Sequence, residues 1–425
     1  MIQQGKSLLR FSPLWIVVVF AAACGSENAS PGLSTNGDSE SSTSVLKPDT
    51  VNDLSDESAA ACPNNGSARF RCFAQVRLNK NLKPFKSSAQ VTGLTPADIK
   101  AAYALPTATS KPTVAVIDAY DDKNAESDLA VYRKQFGLPA CTTANGCFKK
   151  VNQEGNPSPL PKAAPKADDW TGETSLDLDA VSAACPNCKI LLVEADDDQG
   201  MGLYIANNTA AALGATVISN SWGGGESSGD ISDDATYFNH SGIATFVSAG
   251  DSGYAAQFPA TSPSVFSVGG TLLKKSSSAA RGWTETVWNE LTKSEGATGS
   301  GCSKFQPKPS FQNSVTTGCT KRASNDIAAV ADPVSGLAVY DTANGNGGWQ
   351  QVGGTSLASP LVAAIFALTG KGDESPSYVY ANTTHFYDVT SGNDGTCSPK
   401  ELCTAGKGWD GPTGWGTPDG ALLAK

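Results

Sequence analysis

Four short apolar runs constrain what this chain can fold into: residues 114–118 read VAVID, 189–195 KILLVEA, 218–224 ISNSWGG and 246–253 FVSAGDSG. Each is strand-like, and helical stretches alternate with them, the pattern of a parallel sheet covered by helices. Of the 425 residues 40% are hydrophobic and no repeat is evident, so one large globular unit is expected. Ligands of such sheets bind beyond the carboxyl ends of the strands. Asp118, the Ser221–Gly223 turn and Asp251 all fall at such ends.

Residues 353–360, GGTSLASP, lead into the apolar stretch 361–368, which places Ser356 at a glycine-rich turn opening a helix. A hydroxyl there is a candidate nucleophile, because small neighbours admit a substrate backbone and the helix start offers unpaired N–H groups and a positive dipole end. Pro360 is expected in the first turn of that helix. An isolated Thr-Ser pair would read as a helix cap; the eight-residue context favours the nucleophile. A serine needs a base, and the two histidines, His240 in YFNHSG and His385 in TTHFYD, sit in structural or solvated settings. Carboxylates fill that gap. In 170–180, WTGETSLDLDA, Glu173 and Asp177 stand four apart, on one face of a helix. By itself such a pair is a solvated helix face, and Asp251 in GDSG is a plain turn residue.

Taken together, in the order Glu173, Asp177, Asp251, Ser356, these motifs resemble those of the sedolisins, the serine-carboxyl peptidases of the subtilisin-like superfamily. The resemblance runs from about Gly93 to the C-terminus. It implies a subtilisin-like α/β fold, a parallel β-sheet with helices on both faces forming a single catalytic domain. It implies Ser356 as nucleophile, Glu173 as general base and Asp177 as its orienting partner. Asp251 would serve the oxyanion hole, which a carboxyl group can do only while protonated, so activity is expected at acidic pH. Asp118 stands where ordinary subtilisins keep a catalytic Asp and would extend the network. ISNSWGG resembles the strand that pairs with extended substrate backbone, which assigns Ser221, Trp222 and Gly223 to substrate binding. The C-terminal segments FYDVTSG and AGKGWDG resemble the family's calcium loop. They imply one structural Ca2+ held by the carboxylates of Asp388 and Asp410 and the carbonyls of Val389, Gly406 and Gly408, an all-oxygen set suited to a hard cation. No transition metal is indicated, since the lone CxxC has no second pair at zinc spacing.

The N-terminus supplies an address. Lys6 and Arg10 precede an apolar run from Leu14 to Ala23 that ends at Cys24, a secretory signal. The box before Cys24 resembles a bacterial lipoprotein site, and release after plain signal-peptidase cleavage is the other reading. The expected organisation is a signal peptide over 1–24, a disordered Ser/Gly/Asn-rich tether over 25–60, a short N-terminal or pro-segment over 61–92, and the peptidase domain with its calcium site over 93–425. Sedolisins carry a longer prodomain. Ten further cysteines form close pairs, 62/72, 141/147, 185/188, 302/319 and 397/403, read as disulfides of an oxidising compartment. The net charge of −10 argues against a nucleic-acid partner.

The expected protein is thus a secreted or surface-anchored serine-type peptidase, monomeric, acting on proteins or peptides and touching a membrane only through Cys24. Two alternatives stand beside it: a neutral subtilisin-type protease using Asp118 and a histidine, and a non-catalytic surface binding protein on a protease scaffold. Endopeptidase and tripeptidyl-peptidase action both remain open.

Overall fold

In the computed structural model, which describes residues 49–62, 68–107, 109–293 and 296–425, the strand-like runs do alternate with helices. The signal segment and residues 25–48 of the expected tether lie outside the described residues. In chain order come β1 (Leu54–Ala60), β2 (Arg71–Cys72), β3 (Gln75–Asn79), α1 (Pro96–Ala102), β4 (Thr113–Ala119), α2 (Ala125–Gln135), β5 (Phe148–Asn152) and α3 (Thr171–Ala184). Then follow β6 (Lys189–Ala195), α4 (Gly202–Ala212), β7 (Val217–Asn220), β8 (Trp222–Gly223), α5 (Asp230–Asp233), β9 (Ala244–Ser248), β10 (Phe266–Lys275) and β11 (Trp283–Val287). The later part holds β12 (Gly301–Pro307), β13 (Lys321–Ser324), β14 (Ile327–Val330), β15 (Leu337–Asp341), β16 (Gly348–Gly353) and α6 (Thr355–Leu368).

The central eight-stranded sheet runs β11-β10-β9-β7-β4-β6-β5, with β14 also on β10. Its pairings are parallel except for β10 with β11. Every residue of β7, β9 and β14 is buried, which requires cover on both faces and explains why these strands carry no charged residue and do not alternate apolar with exposed polar positions. The described residues belong to one compact unit.

Helix α6 (TSLASPLVAAIFAL) is apolar or small all round, and all fourteen residues are buried, as expected of a helix with no polar face. It packs on β7, β9, β10 and β14 and against α3. α3 is nearly as buried yet carries Glu173, Asp177 and Asp179; carboxyls there must find donors or stay protonated. That contact brings the acidic helix beside the serine helix.

A second, antiparallel sheet, β1-β3-β16-β15, joins the N-terminal segment to β16, the strand that leads into Gly354 and α6. This corrects the expected tether, which does not extend to residue 60. LSDESAA has little apolar content, but pairing with β3 satisfies its backbone and makes it a strand. The five expected disulfides are all formed. Among the described residues no helix is long and apolar enough to cross a membrane.

Candidate active site

Ser356 is the second residue of α6, where a backbone N–H has no intrahelical acceptor. Its Oγ lies 2.9 Å from Glu173 Oε2 and 3.0 Å from the Ser221 carbonyl oxygen. Glu173 occupies the first turn of α3, and Asp177 follows one turn on. Glu173 Oε1 and Asp177 Oδ2 are buried without a donor, and the two carboxyl groups are close enough to act directly on each other. One proton held between them satisfies both, so the pair titrates as a unit. Burial, then the charge of Asp118, pushes both well above the usual carboxylate range.

Asp118, at the carboxyl end of β4, is fully buried with both oxygens unpartnered, and burial with nearby Asp122 raises it to about 8. Ser221 Oγ donates to Asp177 Oδ1 at 2.7 Å. The Trp222 indole donates to the Ile117 carbonyl at 3.1 Å, immediately before Asp118. Asp251 Oδ1 accepts from the Thr355 N–H (2.9 Å) and hydroxyl (2.8 Å), which ties the GDSG turn to the start of α6. Burial outweighs these bonds and raises Asp251 to about 6. Below that pH its carboxyl is a donor. Ser356, Glu173, Ser221 and Asp177 therefore form one hydrogen-bonded group, with Asp251 tied to the neighbouring Thr355 and the charge of Asp118 acting on both carboxyls.

Pro360 lies in the second turn of α6, not the first. Its missing N–H would have bonded the carbonyl of Ser356; that oxygen instead faces Ser221 Oγ at 3.3 Å. Neither histidine is a partner of Ser356: His240 Nε2 is 2.8 Å from Asn208 Oδ1 and His385 Nδ1 is 2.9 Å from the Tyr378 hydroxyl.

Residues 71–75 belong to the site although sequence reading placed them in a short N-terminal or pro-segment, outside the peptidase domain expected from residue 93. β2 pairs antiparallel with β8, Arg71 opposite Gly223 and Cys72 opposite Trp222. The Phe73 N–H donates to Ser356 Oγ (3.0 Å), the Ala74 N–H to Glu173 Oε2 (2.9 Å), and Gln75 Nε2 to Asp251 Oδ2 (3.1 Å). These contacts span 99 to 283 residues of sequence. The only local signal was the RFRCF run with its cysteine.

In the C-terminal loop, Gly408 N–H donates to Asp388 Oδ2 at 2.9 Å and Gly406 N–H to Asp410 Oδ2 at 3.0 Å. Both carboxylates thus close on one glycine turn, beside a buried Val389. Among the described residues no group of three or more His, Cys, Asp or Glu side chains gathers as a metal cluster. A set of two carboxylates completed by carbonyls is compatible with this arrangement.

The signature of the subtilase family matches residues 163–416. Kumamolisin of Bacillus sp. (strain MN-32) is 32% identical over 373 residues, covering 79% of this chain and 64% of kumamolisin. Sedolisin of Pseudomonas sp. (strain 101) is 38% identical over 183 residues, 40% of this chain and 30% of that protein. Xanthomonalisin of Xanthomonas sp. (strain T-22) is 39% identical over 186 residues, 39% of this chain and 21% of that protein. The chain therefore spans just under two thirds of the first relative's length and less of the other two. Among solved structures, Pseudomonas sedolisin, a serine-carboxyl proteinase complexed with two molecules of pseudo-iodotyrostatin, aligns with TM-score 0.64 at 29% identity, over 79% of this chain and 98% of that one. The chain belongs to the subtilase family and, within that superfamily, to the sedolisins.

Proposed function

We propose that this protein is a serine-carboxyl peptidase that hydrolyses peptide bonds in proteins at acidic pH. The observation that carries this reading is the 2.9 Å contact of Ser356 Oγ with Glu173 Oε2, backed by Asp177. Ser356 attacks the scissile carbonyl while Glu173 takes its proton and hands it to the leaving nitrogen. Asp177 holds Glu173 in place and shares its proton, and Asp118 keeps the group's protons bound. Protonated Asp251 and the Ser356 N–H stabilise the oxyanion. Water then cleaves the acyl-enzyme. The Ser221–Gly223 strand holds substrate backbone by main-chain pairing, which tolerates varied side chains. The histidine contacts count against a neutral subtilisin mechanism, and the connected acid group counts against a dead scaffold.

The proposal extends to one Ca2+ in the C-terminal loop, bound by Asp388, Asp410 and the carbonyls of Val389, Gly406 and Gly408; when bound it would supply the positive charge that these carboxylates lack. It extends also to secretion, with Cys24 as a lipid anchor on a bacterial envelope. Disulfides suit that compartment.

The test is hydrolysis of an unfolded protein from pH 3 to 8, with Ser356→Ala as control. An acidic optimum is expected, with Ser356→Ala slower by about 10^4-fold or more. A neutral optimum, or an unaffected alanine variant, sinks the mechanism.

A further inference from the structure

We propose that the end of the central sheet opposite Asp118 carries a binding site for a small amphiphilic carboxylate, an alkyl chain ending in one carboxyl group. The charged head sits in a cavity lined by Arg133, Lys111 and Lys189, and the chain lies in the apolar groove beside it.

Lys111 precedes β4 and Lys189 opens β6, with Thr113 beside Lys189 in parallel register. Asp118 stands five residues further along β4, so roughly 16 Å of strand separate this end from the acid cluster. The site is thus distinct from the serine, and its occupancy does not depend on the peptidase activity.

The cavity for the head measures about 190 Å³, and among the described residues its lining includes these three cations and no carboxylate. In a chain with 41 acidic and 31 basic residues, that is a local inversion of charge. Arg133 is the deepest of the three, 1% exposed. Its Nε donates to the Pro139 carbonyl at 2.6 Å, its Nη1 to the Ser182 hydroxyl at 2.7 Å, and its Nη2 to the Pro186 carbonyl. None of these partners carries a charge. The other deeply buried arginine, Arg322, has Asp326 against it. Burial without such a contact pulls Arg133 down to about 10, although the charge of Asp179 acts in the opposite sense. A guanidinium has five N–H groups, so one on each Nη is left over. Two donors on one planar cation match the two oxygens of one carboxylate.

The groove for the chain measures about 340 Å³ and shares Pro139, Pro186 and Asn187 with the cavity. α1, the segment that follows it and the ends of α2 and α3 form its walls, with Leu105, Phe136, Leu138 and Ala183 facing in; Lys100 is its single charged lining residue. A space that is apolar along its length and cationic at one end is complementary to a ligand divided in the same way. Together the two parts have the volume of a small-ligand pocket, about 300–1,000 Å³. They are also preformed. Four prolines, at 96, 106, 139 and 186, fix the backbone along the groove. The Cys141–Cys147 and Cys185–Cys188 disulfides tie down the two loops that bring Asn145, Gly146 and Asn187 to the cavity. A ligand entering such a site loses little affinity to ordering of the protein.

The experiment titrates the purified full chain at pH 7 with decanoate by calorimetry, and in parallel with 1-decanol, with inorganic phosphate and with an acidic leucine-rich heptapeptide. One decanoate per chain is expected, with Kd about 1–100 μM. The paired change Lys111→Ala/Lys189→Ala, at two exposed positions, should weaken it about tenfold. Leu138→Glu, which sets a carboxylate in the groove, should weaken it at least as much, and casein hydrolysis should be unchanged in the lysine pair. Absence of saturable binding below about 1 mM overturns the site. Equal affinity for decanol also overturns it, since the cations would then have no part, as does equal affinity for phosphate, which would leave the groove idle. Tighter binding of the peptide would make the occupant a protein segment instead. Wild-type affinity in both variants would put decanoate somewhere else on the molecule and is equally fatal.

Discussion

Two buried carboxylate groups in this molecule have solved the same problem in opposite ways. Asp326 is fully buried, but its Oδ2 takes Arg322 Nη2 at 2.6 Å and the Ser267 N–H at 2.9 Å, and its Oδ1 takes the Tyr380 hydroxyl at 2.9 Å. Its charge is met by a cation and two further donors. Glu173, Asp177 and Asp118 are buried as deeply and have no cation in hydrogen-bond contact. Such a group stays in the interior by keeping protons. A compensated acid is structural; an uncompensated one is a proton store, which acid–base catalysis requires.

The sharpest way to break this contrast is to remove the proton carrier. Glu173→Gln keeps the shape of the side chain but cannot take a proton from Ser356, and turnover should fall about 10^2–10^4-fold in steady-state assays with the fold intact. Unchanged turnover would make the acid cluster structural after all. At the other pole, Arg322→Leu leaves Asp326 buried without its cation, and denaturant unfolding should show a loss of about 3–5 kcal/mol. A neutral result there would erase the distinction between the two groups.

The pH dependence of stability sharpens the same point. Carboxyls raised in the folded state bind protons more tightly than in the unfolded chain, so their stabilisation is complete below about pH 4 and is lost as pH rises through the folded values. Asp251, raised to about 6, and Asp118, raised to about 8, put that loss between pH 4 and 8. Asp251 alone accounts for about 3 kcal/mol by pH 8. Melting temperature should therefore fall from pH 4 to pH 8, with a shallower slope in Glu173→Gln. A flat or opposite slope would mean the cluster is compensated. The smallest effect is expected at the C-terminal loop: chelation of calcium should lower the melting temperature by a few degrees, and added Ca2+ should restore it. Asp388→Asn should abolish that response.

What was legible in the sequence divides along similar lines. The parallel strands could be read because burial on both faces writes itself as apolar runs such as residues 190–193 of KILLVEA. Glu173, Asp177, Asp251 and Ser356 could be read because each sits in a local motif whose spacing reflects a helix turn or a glycine elbow. Leu54–Ala60 could not, since LSDESAA becomes a strand only by pairing with residues about twenty positions on. The occupied cleft was equally hidden: nothing local in Phe73 or Ala74 announces contacts with Ser356 and Glu173. Pro360 was misplaced by one turn because the sequence does not reveal that the Ser356 carbonyl, left by the proline without its helical N–H, is met by the Ser221 hydroxyl instead.

The complete burial of α6 has a consequence for how this protein can change over generations. A helix touching neighbours along every residue admits only exchanges that preserve volume, so the serine's carrier is nearly closed to variation. Under the proposed function, novelty in substrate choice must arise in the loops that ring the cleft and in the residues that follow Arg69, while the mounting of Ser356 is inherited as a block.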